Sequence, residues 1–219
     1  MKDGIIVINK PNGITSHDVV DRIRRKFSMR RVGHAGTLDP LATGVLIILL
    51  GKSTKLFDKF VAFDKAYRAT LILGMQTDSS DIQGKVLQKN PYEHITQENV
   101  EKIFSEFVGD LKQVPPMVSA VRHKGRKLYE LARKGIQVER VPRNITIMKL
   151  AIERIEFPNV QFYMECSKGT YVRQLAQDIG DRLGCGACIS QIERVKVGSF
   201  SIEDSVSVEN ANESHIRDF

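Results

Sequence analysis

The sequence predicts an α+β fold, and three observations carry that reading. Val45–Leu50 is an unbroken apolar run, as in a strand covered on both faces. Tyr67, Ala69, Leu71 and Leu73 alternate with Arg68, Thr70 and Ile72 at the period of a strand. Val19, Val20, Ile23 and Phe27 recur at helical spacing, as do Tyr171, Val172, Leu175, Ile179 and Leu183. These strands and helices alternate irregularly, which argues against a regular doubly wound sheet.

Taken in order, Gly4–Asn9 reads as a buried strand ended by the turn Pro11-Asn12-Gly13, and Ser16 as the N-cap of the first helix. Residues 33–40, rich in glycine and closed by Pro40, form a loop before the strand Val45–Leu50. A short helix is expected over Thr54–Phe63, then the alternating strand from Tyr67. Further helices are expected at Thr96–Phe107 and Gly125–Lys134, the latter closed by Gly135. Ile145–Phe157 and Val160–Cys166 read as two strands joined at Pro158-Asn159. The helix from Tyr171 stops at Gly184, a last strand covers Ile192–Phe200, and an acidic tail ends the domain. There is no internal repeat and no low-complexity segment.

Composition narrows the class. The chain has 219 residues, 42% hydrophobic and 27% charged, which suits one domain, or one domain with an insertion. No apolar run approaches a membrane span and the N-terminus lacks a signal peptide, so the expected location is cytoplasmic. Three cysteines do not make a disulfide framework. The net charge of +7 is unevenly spread. Residues 22–31 hold six Lys and Arg with no acid, and residues 122–143 hold eight against two glutamates. Concentrated positive charge on an otherwise mildly acidic body suits a polyanion such as nucleic acid, and equally two solvated basic faces.

The chemistry centres on Asp39. From the residues alone, Asp39-Pro40 is a common helix start, and the surrounding glycines and His34 hint only weakly at a site. The longer motif is more specific. Gly33-His34-Ala35-Gly36-Thr37-Leu38-Asp39-Pro40-Leu41-Ala42-Thr43-Gly44 closely resembles the catalytic loop of the TruB family of tRNA pseudouridine synthases. Further blocks match in the family's order: 3–15 (DGIIVINKPNGIT), 64–68 (DKAYR), 74–84 (GMQTDSSDIQG), PPMVSA and LYELAR within 115–133, 167–173 (SKGTYVR) and 183–187 (LGCGA).

That resemblance implies a mixed, largely antiparallel sheet flanked by helices, with an RNA-gripping insertion at about residues 110–143. It implies conversion of uridine to pseudouridine in the T-loop of tRNA. The N1–C1′ bond breaks, the uracil turns, and it rejoins through C5, with no cofactor and no metal. Asp39 is then the catalytic carboxylate and Arg173 its ion-pair partner. Tyr67 matches the tyrosine that stacks on the target base and can take part in proton transfer. Tyr171 and Ile192 match pocket walls, and His34 the histidine that enters the space left by the extruded base. Arg122, Lys124, Arg126, Lys127, Arg133 and Lys134 become the RNA-binding set of the insertion. Lys10, Lys55 and Asp81 lie in matching blocks as support. Without the family, Tyr67, Tyr171 and Ile192 read as core, Arg173 as a surface arginine, and His34 as an exposed loop residue.

Three departures from the family stand out. The usual C-terminal RNA-binding module of the PUA type is expected to be absent, so residues 1–219 form one catalytic domain. Ile192-Glu193-Arg194 stands where Leu-Arg-Arg is usual, placing Glu193 near the expected RNA path, and Val118 stands where tyrosine is common. Cys185-Gly186-Ala187-Cys188 lacks the second ligand pair of a zinc site. The expected partner is the T-arm of tRNA, acting on a monomer with no obligate protein partner. Two alternatives stay open: an RNA-binding or tRNA-folding protein whose catalysis is dispensable, and a guide-RNA-dependent synthase subunit.

Overall fold

A computed structural model of the chain describes residues 3–119, 121–132 and 134–219. It is α+β, with mostly antiparallel strands flanked by helices. The chain forms two units, one comprising the residues up to Arg68 together with Gln191–Phe219, the other Ala69–Ser190.

The first unit opens with β1 (Gly4–Lys10), α1 (Ser16–Lys26), β2 (Val32–Ala35), β3 (Thr43–Leu50), a 3-10 stretch Gly51–Leu56 and α2 (Phe57–Val61). Strand β4 (Lys65–Leu73) carries the chain into the second unit. There follow β5 (Met75–Thr77), β6 (Val86–Lys89), α3 (Gln97–Ser105), β7 (Gly109–Gln113), β8 (Arg122–His123), β9 (Arg126–Lys127) and α4 (Leu128–Ala132). Next come β10 (Arg143–Glu156), β11 (Asn159–Cys166) and α5 (Val172–Leu183). Strand β12 (Ala187–Val197) returns the chain to the first unit, which ends with β13 (Phe200–Ser201) and β14 (Val206–Ser207).

In the first unit β3 explains its own apolar sequence. It pairs antiparallel with β1, Gly4 opposite Leu50 and Lys10 opposite Gly44. Leu46, Ile48 and Leu50 face one core with Ile6, Ile8 and the α1 residues Val19, Val20 and Ile23. Val45, Ile47 and Leu49 face the other with Ile5, Val7, Phe60 and Phe200. A strand with a core on each side can afford no polar position, hence the unbroken run. The acidic tail is built in: β14 lies parallel to β1, Ile5 and Arg217 exchange both backbone hydrogen bonds, and Val208, Ala211 and Ile216 are buried.

Several boundaries differ from the sequence reading. The N-cap of α1 is Thr15, in a capping box with Asp18, and Ser16 is freed for a long-range contact described below. Residues 33–35 of the expected loop 33–40 are strand, because β2 pairs with β3 through Ala35↔Ile47. The helix expected from Gly125 starts at Leu128. Lys124 and Gly125 have φ of 48° and 84°, the two-residue turn that closes a β8–β9 hairpin. The last strand begins five residues before Ile192, at Ala187.

The second unit is organised by the β10–β11 hairpin, running from Ile147↔Cys166 to Glu156↔Asn159, with β7 on the other edge of β10. Phe104 of α3 packs its ring 5.6 Å from that of Phe162. Helix α5 ends at Gly184 with φ 81°, as expected.

Gly44 should tolerate no side chain. Its φ is +97°, and an added Cβ would lie 2.3 Å from the Arg194 carbonyl oxygen on the parallel neighbour β12. Gly44→Ala is expected to cost on the order of 3 kcal/mol in a denaturant titration. An unchanged midpoint would show that the β3–β12 junction can shift.

Candidate active site

The segment from Gly36 to Gly44 presents Asp39, and it is gripped by its backbone from three sides. Lys10, at the end of β1, is fully buried. Its ammonium donates to the carbonyls of Pro11 at 2.8 Å, Ile14 at 2.7 Å and Pro40 at 3.4 Å. Three protons thus meet three oxygens. Arg194, only 2% exposed, reaches from β12 to the two ends of the segment. Its Nε donates to Val45 O at 2.8 Å and a terminal nitrogen donates to Gly36 O at 2.9 Å. On the third side, the buried Ser16 hydroxyl donates to Leu38 O at 3.0 Å and accepts from Leu38 N at 2.8 Å. Asn12 adds a bond to Leu41 O, Gly13 N donates to Pro40 O, and Ala42 N closes a turn on Asp39 O. No helix starts at Asp39-Pro40; the chain turns straight into β3. Asp39 itself is half-buried.

The two buried cations shape the local electrostatics. Burial lowers the Lys10 pKa to about 8, with the Asp39 carboxylate opposing the shift and the Arg194 guanidinium adding to it. Lys10 therefore remains mostly charged at neutral pH. His34, on β2 opposite Ile48, is pushed down to about 4, first by burial and then by the positive charge of Arg194. It is a neutral imidazole at pH 7, with its Nδ1 buried and unpartnered among the described residues. Ile192 is half-buried and packs against the core that contains Leu38. Tyr67 is buried on β4. Glu193 lies in register with Thr43, at the end of the Asp39 segment.

The second unit brings together the start of α5. Tyr171 is its N-cap residue and Arg173 lies in its first turn, 4% exposed rather than on the surface. The Arg173 guanidinium donates to Ser79 O at 2.7 Å and Val118 O at 2.9 Å, and faces the Asp81 carboxylate at 3.5 Å. Asp81 is fixed in turn by the Ser79 hydroxyl at 2.8 Å and Gln83 N at 3.0 Å. Arg173 and Asp81 form a buried charge pair that the Ser79 and Val118 carbonyls, Gln83 N and the Ser79 hydroxyl also satisfy, as such a pair requires.

Of the basic insertion, Lys124, Arg126 and Lys134 are exposed. Arg133 lies outside the described residues, as do the side chains of Arg122 and Lys127. Part of the other basic stretch is structural: Arg24 binds Asp21 and Val32 O, and Arg22 and Lys26 hold the tail at Glu209 and Val208. Lys55 is exposed. Cys166, Cys185 and Cys188 are buried and form no disulfide, and burial pushes the Cys188 thiol up to about 11. A protonated buried thiol is a poor nucleophile and a poor metal ligand. No helix among the described residues is long and apolar enough to cross a membrane.

Sequence reasoning reached Asp39, His34, Tyr67, Tyr171, Ile192 and Arg173 only through the family motif. It gave Lys10 a minor place and missed the contacts of Ser16 and Arg194. Arg194 carried a weak signal, an arginine within an expected strand. Ser16 was assigned to the wrong task.

Two family models match successive parts of the chain. The family model "TruB family pseudouridylate synthase (N terminal domain)" matches residues 24–172, and "tRNA pseudouridylate synthase B C-terminal domain" matches residues 173–217. The tRNA pseudouridine synthase B of Clostridium tetani is 48% identical over 217 residues, covering 99% of this chain and 75% of its own length. That of Syntrophotalea carbinolica is 46% identical over 207 residues, 94% of this chain and 68% of its own. Among solved structures, a chain of a Cbf5-Nop10-Gar1 complex superposes with a TM-score of 0.73 at 29% identity, over 94% of this chain. A chain of an H/ACA RNP bound to a substrate RNA containing 2'-deoxyuridine gives 0.70 at 26%. This chain spans about half the length of each of those solved chains, 53% and 51%.

The neutral state of His34 has a consequence for stability. With a folded pKa near 4 and an unfolded value near 6.5, the unfolded chain binds the extra proton between those limits. Stability at His34 is therefore lost as pH falls from about 6.5 to 4. His34→Asn should flatten the acid limb of the Tm-against-pH curve in that window. A limb of unchanged slope would place the acid sensitivity elsewhere.

Proposed function

The chain belongs to the TruB family of pseudouridylate synthases, and from that premise we propose that it isomerises uridine to pseudouridine in the T-loop of tRNA, with Asp39 as the catalytic carboxylate. The observation that carries this reading is the backbone grip on residues 36–44 by Lys10, Arg194 and Ser16. A carboxylate on a loop held in this way needs no reorganisation as charge develops beside it. Positive character grows at C1′ when the N1–C1′ bond breaks. Asp39 meets it as nucleophile or electrostatic stabiliser while the uracil turns and rejoins through C5, which then loses its proton as N1 takes one up. No electron is gained or lost.

Arg173 is proposed to pair with Asp39 in the substrate complex, its guanidinium already oriented by Asp81. Tyr67 stacks on the base and assists proton transfer, and Tyr171 and Ile192 wall the pocket. His34, neutral at pH 7, fills the place of the extruded base without adding charge, which recovers part of the cost of flipping. Lys124, Arg126 and Lys134, with Arg122, Lys127 and Arg133, grip phosphates from the insertion at about 110–143. The enzyme is proposed to work as a monomer in the cytoplasm, where its tRNA substrate is found.

A second reading is a guide-RNA-dependent subunit, favoured by the likeness to Cbf5 chains. The identity of 46–48% to enzymes named tRNA pseudouridine synthase B favours the first. Pseudouridine formation on bare tRNA transcript, with no guide RNA or protein, decides between them. Asp39→Asn should abolish turnover there while tRNA affinity changes less than about threefold, a shift under roughly 0.7 kcal/mol. A mutant near wild-type rate would remove Asp39 from the chemistry.

Neutralising Lys124, Arg126 and Lys134 together should weaken binding to many RNAs alike. The slope of log K against log salt should fall in magnitude by roughly 2. An unchanged slope would make the insertion a solvated face.

A further inference from the structure

We propose that Gln113 is a positioning residue for the pseudouridylation pocket, its side-chain amide fixing the backbone of Tyr171 and so aiming the start of α5. The inference rests on the reading of Tyr171 and Arg173 as pocket residues given above. Gln113 is the last residue of β7 and is 4% exposed. Tyr171 N donates to its Oε1 at 2.8 Å, and its Nε2 donates back to Tyr171 O at 3.1 Å. The side-chain amide thus stands in for one rung of a β ladder, meeting a peptide group in both directions. Among the side chains only a primary amide, or a neutral carboxylic acid, offers a donor and an acceptor at that spacing.

The need for such a contact follows from the local chain. Tyr171 is the N-cap of α5 and has no side-chain cap bond, so its φ of −106° and ψ of 109° are not set by capping. Its carbonyl accepts from Leu175 N at 3.0 Å, so whatever fixes that peptide also fixes the first turn of the helix. Arg173 lies in that turn, and its guanidinium donates to Val118 O. Gln113 and Val118 belong to the same stretch, the one leading from β7 into the basic insertion. The return side is tied to the same place: Arg143 of β10 pairs with Gln113 in the backbone, and Arg140 donates to Pro115 O at 3.0 Å. Gln113 therefore sits where the root of the insertion meets the helix start that carries Tyr171 and Arg173.

Gln113→Ala, Gln113→Asn and Gln113→Glu in the full chain test this, with Tyr171→Leu as the reference. Single-turnover pseudouridine formation is measured at saturating tRNA, with Kd measured separately. Gln113→Ala and Gln113→Asn, the latter one methylene too short, should slow the chemical step about tenfold, or ~1.4 kcal/mol, with Kd within twofold. Gln113→Glu adds a signature that a general loss of packing would not give. Its protonated form keeps both donor and acceptor, whereas its carboxylate cannot donate and faces the Tyr171 carbonyl. The rate of Gln113→Glu relative to wild type should rise as pH is lowered from about 8 to 5.5, while that of Gln113→Ala stays flat. If Gln113→Ala does not fold, the Asn and Glu variants carry the comparison. Wild-type rates in Gln113→Asn, or a pH-independent ratio in Gln113→Glu, would overturn the proposal. A wild-type rate in Tyr171→Leu would instead remove Tyr171 from the pocket, and a slow Tyr171→Leu beside a normal Gln113→Asn would sink the positioning role alone.

Discussion

Two cations taken out of water, Lys10 and Arg194, bond to the carbonyls at both ends of the loop that carries Asp39 and to one inside it. Burying a charge is expensive unless its hydrogen-bonding groups are met, and here they are met by backbone carbonyl oxygens. The exchange is mutual. The loop supplies the oxygens that make the cations tolerable, and the cations supply the donors that a glycine-rich loop lacks. Burial and Arg194 outweigh the attraction of Asp39 and lower the Lys10 pKa to about 8. Burial, with Arg194 adding to it, likewise keeps the imidazole of His34 neutral.

This dependence accounts for much of the first unit. Strand β3 carries cores on both faces so that its start, Gly44, is fixed against β12, and β12 delivers Arg194 from that register. Ser16 belongs to the loop rather than to its helix, binding Leu38 through both its donor and its acceptor. Thr15 takes over capping, so the helix loses nothing.

How much of this the sequence disclosed depended on whether a residue's task was local. Strand β3, the alternation in β4 and the stop of α5 at Gly184 follow from periodicity and from glycine's freedom at positive φ, and all were legible. The helix expected at Gly125 failed because Lys124-Gly125 closes a hairpin, a competition between turn and helix that composition does not settle. Arg173 read as a surface arginine because its partners, Ser79, Asp81 and Val118, lie dozens of residues away. Gln113 was invisible for the same reason, and its bond partner is a peptide group, which has no residue identity to detect. Asp39 was found only because a family motif stores such long-range information in a short string.

The two units solve the same problem by opposite means. In the first, a loop without regular structure is held at its backbone by side chains reaching in from β1, α1 and β12. In the second, the start of a regular helix is held by an amide on β7 and by a buried charge pair. Backbone-directed grips constrain the residues that reach in and leave the loop's side chains available for other work. That suits the role proposed for Asp39, a carboxylate that meets a developing charge without moving. The grip at α5 is made of polar groups that are costly to leave unpaired, so each partner constrains the next, from Gln83 and Ser79 through Asp81 to Arg173. A chain of that kind contributes less to stability than to geometry, because replacing all of it with apolar groups could cost little while breaking one link would leave a buried charge alone. Geometry at the start of α5 is what the proposed roles of Tyr171 as a pocket wall and of Arg173 as a partner for Asp39 require.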